Sequence, residues 1–164
     1  MSPMPAKGRA PYRVVWGMAL IPTTVMTAVF PYLSRTGGEG KAHGVLVGRV
    51  VKYLSMLSLP FSLLLLLYSR QVMVLLYGMD YSGGVPALAI MAAAPVFSFA
   101  YIPLADLLNA HYRHGRSLVA LLTAALVNAF LCLVLVQLMG ISGAAVATLA
   151  AEAVLLAAVL YFSW

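Results

Sequence analysis

Acidic residues are scarce in this chain. Only four Asp and Glu stand against ten Lys and Arg in 164 residues, and charge of either sign makes up 9% of the sequence. Soluble domains carry about 25% charged residues, so the composition argues against a water-soluble globule. A single cysteine, Cys132, excludes an intramolecular disulfide. Thirteen glycines and nine prolines dominate nothing, which excludes a collagen or a Pro/Gly-rich disordered chain. The groupings that carry catalysis are missing too: no acids are paired, Cys132 sits in an apolar run, and no Gly-rich phosphate loop follows a strand pattern. His111 and His114 are spaced i, i+3, but no cysteine or carboxylate completes a metal-binding set. No enzyme, cofactor or metal is expected.

What the chain has is apolar length. Hydrophobic residues make up 63%, and the net charge is +6; the mean hydropathy is +0.99. The basic residues are scattered in ones and twos between the apolar runs, a spacing that fits loops at lipid headgroups rather than a nucleic-acid groove. A crossing of the bilayer needs roughly 20 apolar residues, so the chain has room for about five. Charges and turn residues divide it into a tail, 1–13, and a helical membrane lobe, 14–164, with spans at about 14–33, 53–69, 85–105, 117–139 and 141–164. Before the second span, Leu46, Val50 and Leu54 recur at helical spacing beside Arg49 and Lys52, which reads as an interfacial turn of helix. The stretch Gln71 to Tyr77 is apolar but too short to cross. A secretory signal fits span one poorly, because its apolar run is long and no clear cleavage site follows.

Orientation follows from the basic residues on alternating sides. Arg35, Lys41, Arg49, Lys52, Arg113 and Arg116 fall on one side, and Lys7, Arg9, Arg13 and Arg70 on the other. Six against four makes the first side cytoplasmic, with the N-terminus outside and the C-terminus inside.

Prolines crowd the first three spans: Pro22 and Pro31, then Pro60, then Pro86, Pro95 and Pro103, with none in the last two. Each interior proline removes a backbone hydrogen bond and favours a kink, so Pro22, Pro31, Pro60, Pro95 and Pro103 are kink candidates. Span five opens with Gly143, Ala147 and Ala151 at a spacing of four, a small-residue ridge suited to close helix packing against span four or another neighbour. Glu152 lies near the middle of that span, where a charge costs roughly 2.5–3.5 kcal/mol, so its side chain is expected to face protein or water or to be protonated. A polar lining or proton site and a merely hydrogen-bonded buried carboxyl are both open readings, with Asn128 of span four as a candidate partner. Asp106 and Asn109, near Arg113 and Arg116, read either as a gate or headgroup cluster or as a snorkelling loop end.

Several segments in order carry a resemblance. Val29-Phe30-Pro31-Tyr32-Leu33-Ser34 closes a span, Ser58-Leu59-Pro60 begins the next, and Leu75-Leu76-Tyr77-Gly78 is followed by Asp80-Tyr81. Leu107-Leu108-Asn109-Ala110 precedes a basic link, Val127-Asn128 lies within a span, and Gly140 to Thr148 opens the last. Over residues 14–164 the chain resembles the C-terminal half of prokaryotic polysaccharide flippases of the multidrug/oligosaccharidyl-lipid/polysaccharide exporter superfamily. The resemblance implies an all-α integral membrane protein whose five spans form one incomplete six-helix lobe of a two-lobe flippase. It further implies alternating access that moves an undecaprenyl-diphosphate-linked oligosaccharide across the prokaryotic cytoplasmic membrane. The first helix of the lobe and the whole first lobe have no counterpart here, so the chain is expected to be a fragment or a subunit needing a partner. Candidate substrate-path residues are Arg35, Arg49, Asp106, Asn109 and Arg116 near the cytoplasmic mouth, with Asn128 and Glu152 deeper. Besides membrane lipids and the lipid-linked oligosaccharide, the partner expected is the absent lobe or a membrane subunit standing in for it. A drug/cation antiporter, a peptidoglycan-precursor flippase and a non-transporting membrane interaction protein are the alternatives.

Overall fold

The computed structural model describes residues 10–35, 41–110 and 114–163. Its helices are α1 (Ala10–Arg35), α2 (Lys41–Leu67), α3 (Ser69–Tyr77), α4 (Val85–Met91), α5 (Ala94–Ala110), α6 (His114–Met139) and α7 (Ile141–Ser163), with a short 3-10 helix, Met79–Gly84, before α4. No strand occurs among the described residues. At 1.5 Å per residue, the 26 residues of α1 extend about 39 Å, enough to cross a hydrocarbon layer about 30 Å thick. Four helices are long and apolar enough to cross a membrane, and the bent pair Met79–Met91 and Ala94–Asp106 makes a fifth if it counts as one crossing. Since lipid offers no hydrogen bonds to a bare backbone, helices that satisfy their own amides are what such a sequence must form. The chain is a multi-pass, all-α membrane protein.

Two boundaries differ from those expected, at the start of α1 and within the third span. Helix α1 begins at Ala10, which puts Arg13 inside its first turns; a long basic stem can run along the helix and keep its charge at the surface. The helical turn around Leu46 to Leu54 leads directly into the second span, and α2 runs unbroken from Lys41 to Leu67. The third span is two helices bent by 53°. Its break has a local cause. Pro95 has no amide hydrogen and disfavours helical geometry at the residue before it, and the chain turns at Ala92 and Ala93. The backbone bonds there, Ala93 N to Ile90 O at 3.4 Å and Val96 N to Ala93 O at 3.1 Å, are tight i to i−3 bonds.

This bent element is the hub. Helix α5 packs against α2, α7 and α1, and α4 packs against α7, α1 and α2, whereas α6 packs almost wholly against α7. One core gathers Ala10 and Val15 of α1, Leu65 of α2, Met73 of α3, Leu88 and Met91 of α4, and Ala145 of α7. Towards the other end, Met26 meets Val50, Val51 and Ile102, while Ala120 and Val159 pack with Leu104 and Ala105. Starts and ends of successive helices thus alternate between the two ends, the premise on which the charge count rests.

The candidate prolines fall into two groups. Pro22, Pro95 and Pro103 are fully buried, but Pro31 and Pro60 are exposed. Only Pro95 adjoins the 53° bend. On the small-residue ridge, Ala147 is 0% exposed and Ala151 7%, and a Cβ on Gly143 would collide with the Leu135 carbonyl of α6 and stand 3.0 Å from Val136 N. Glycine there lets the two backbones touch. The turn between them is set by Gly140, whose φ of 60° is a conformation other residues rarely adopt. Away from α7, α6 presents Leu118, Leu122, Leu126, Phe130 and Leu133 outward, as a lipid-facing helix must.

Candidate functional site

Polar side chains are few, and several converge on α7. Thr148 and Glu152 are four residues apart, hence on one face and about 6 Å apart along the axis. The Thr148 hydroxyl donates to the Ala144 carbonyl at 3.0 Å, and the side chain of Tyr12 on α1 lies close to it. Tyr101 of α5 lies within electrostatic range of Glu152, and Cys132 of α6 lies within such range of Tyr12. These residues make a polar seam to which α1, α5, α6 and α7 each contribute.

Within the seam, Glu152 Oε2 is buried with no hydrogen-bond partner. The expected pairing with Asn128 does not form. Instead the Asn128 amide oxygen accepts from the Cys132 thiol at 3.4 Å, one turn along its own helix. Residues four apart on a helix are neighbours on one face, so this contact runs along α6 and does not cross to α7.

The cationic group lies at the other end. Arg49 and Arg116 are exposed and Asp106 is half-buried. Their neighbours Val50, Ala105 and Ala120 belong to the two small cores at that end. Arg35 closes α1 and Asn109 falls in the last turn of α5, but their side chains, like residues 111–113 with His111 and Arg113, lie outside the described residues. No group of three or more His, Cys, Asp or Glu suited to a metal ion occurs among the described residues. The structure therefore separates the expected path residues into a superficial cationic set and a deeper pair, Asn128 and Glu152, on adjacent helices.

Sequence reasoning missed Tyr12, Tyr101 and Cys132 as members of the seam. The available signal was a phenol or thiol in an otherwise apolar run, and that signal does not distinguish a seam residue from a lipid-facing one until the helices are packed.

Comparison with known families bears on the first half of this arrangement. Residues 10–86 match a family of polysaccharide biosynthesis proteins. The match runs from the start of α1 through α2 and α3 into α4, somewhat less than half of the chain. It includes the Val29 to Ser34, Ser58 to Pro60 and Leu75 to Tyr81 segments. Those around Asn109, Asn128 and Gly140 to Thr148 lie beyond it. No curated protein and no solved structure matches the chain.

Proposed function

We propose that this chain forms part of a membrane flippase that carries an undecaprenyl-diphosphate-linked oligosaccharide across the prokaryotic cytoplasmic membrane by alternating access. The observation that carries the reading is the family match over residues 10–86, which supports a role in polysaccharide biosynthesis. The packing adds a means. A bent central element, α4 and α5, touches most of the bundle, and such an element can redistribute small helix shifts into the opening of one end and closing of the other.

In this reading the five crossings form one wall of the passage and a facing lobe or partner subunit supplies the other. Arg49 and Arg116 attract the diphosphate through charge-assisted hydrogen bonds at the cytoplasmic mouth, and the seam with Asn128 and Glu152 meets the polar sugar inside. Deleting the gene that encodes this chain is expected to reduce surface polysaccharide and to accumulate lipid-linked oligosaccharide in the cytoplasmic leaflet. Wild-type export in the deletion strain would overturn the proposal.

One observation favours a second reading within the same superfamily. The unpartnered Glu152 carboxyl is the kind of group that an ion- or proton-driven exporter of drugs or cations uses for coupling.

A further inference from the structure

A groove of about 630 Å³ runs between α1, α2 and α3, and no wall of it comes from α5, α6 or α7. It is thus distinct from the polar seam and independent of the transport reading. Its size falls in the range of about 300–1000 Å³ typical of small-ligand sites. The two long helices run in opposite directions, so the lining residues are graded by polarity. Arg13 and Tyr68 stand at the end where α1 starts and α2 finishes, and Ile21 and Phe61 stand toward the middle of the bundle. From Arg13 to Ile21 is eight residues of helix, about 12 Å.

We propose that this groove holds one acyl chain of an anionic phospholipid, with the lipid phosphate on Arg13. Arg13 is the only charged residue lining it among the described residues, and Arg13 is exposed. A phosphate oxygen pair matches a guanidinium fork, and the phenols of Tyr68 and Tyr77, also in the lining, have the amphipathic character of side chains that sit at headgroup level. Among the described residues no carboxylate lines the groove to receive the ammonium of a zwitterionic headgroup, so a net negative lipid fits better. A single cation balances the one charge of a phosphodiester but not the charge of a diphosphate. The gradient from Arg13 to Ile21 follows that of a lipid from phosphate to tail. Gly17 leaves the floor open, since a Cβ there would meet nothing within 4 Å.

The test uses the purified whole chain, stripped of lipid and mixed with phosphatidylglycerol or phosphatidylcholine, with bound lipid counted by native mass spectrometry. Wild type is expected to retain phosphatidylglycerol roughly tenfold over phosphatidylcholine, the size of one charge-assisted contact. Arg13→Gln removes the preference. Gly17→Trp fills the groove and abolishes retention while helical circular dichroism is unchanged, with Gly17→Leu repeating the experiment should the larger side chain disturb folding. Leu126→Trp, on the outward face of α6, changes nothing. The proposal is overturned if wild type shows no preference, if Arg13→Gln keeps it, if a folded groove-filling variant binds as before, or if a polyprenyl diphosphate is retained in preference to phosphatidylglycerol.

Discussion

Glu152 concentrates the tension between folding and function in a single side chain. A buried carboxyl oxygen without a partner costs about 1–3 kcal/mol, and Glu152 Oε2 is in that state. Replacing Glu152 with Leu is therefore expected to raise unfolding stability in detergent by about that amount. The same change is expected to lower polysaccharide export in cells. A drop in thermal stability would show that the carboxyl is held by bonds it lacks in this structure. The conservative Glu152→Gln change separates the two transport readings, since it abolishes export driven by an ion gradient but only weakens export that needs a polar wall. Asn128 differs in kind: its amide oxygen accepts from Cys132.

Among the helices, position decides which prolines matter. Pro60 lies inside α2 yet is exposed, and only the element containing Pro95 is bent by 53°. Restoring an amide hydrogen with Pro95→Ala lets helical bonding continue through Ala92 and Ala93. Spin labels at Met79 and Asp106, the two ends of the bent pair, are expected to lie farther apart in that variant than in wild type, and Pro60→Ala is expected to leave the same distance unchanged. Equal distances in all three proteins would mean that tertiary packing, not the proline, sets the bend. The α6–α7 hairpin contrasts with this pair. It contains no proline, and Gly143 packs directly on the α6 backbone.

At the level of the whole molecule, the alternation of helix ends puts an odd number of crossings between the first helix and the last when the bent pair counts as one. A reporter that is active only outside the cell is expected to be silent when fused after Trp164 and active when fused ahead of α1. The reverse pattern would invert the assignment of Arg49 and Arg116 to the cytoplasmic mouth, leaving the packing as it is. Both fusions active on the same side would mean that α4 and α5 enter and leave the membrane from one face.

The apolar runs, the sparse charges and the glycine at position 140 were enough to specify helices, their approximate number and the tight final hairpin, because in lipid an unpaired backbone is prohibitive and chain length alone limits what can cross. The small-residue spacing of α7 was legible for the same reason: close approach needs missing side chains, and missing side chains are visible in a sequence. Tertiary structure alone decided the rest. Whether Pro95 or Pro60 bends its element, whether Asn128 faces Glu152 or Cys132, and whether Tyr12 and Tyr101 face a polar seam or lipid all depend on rotation of one helix against another. A hydropathy pattern that is apolar on every side carries almost no information about that rotation.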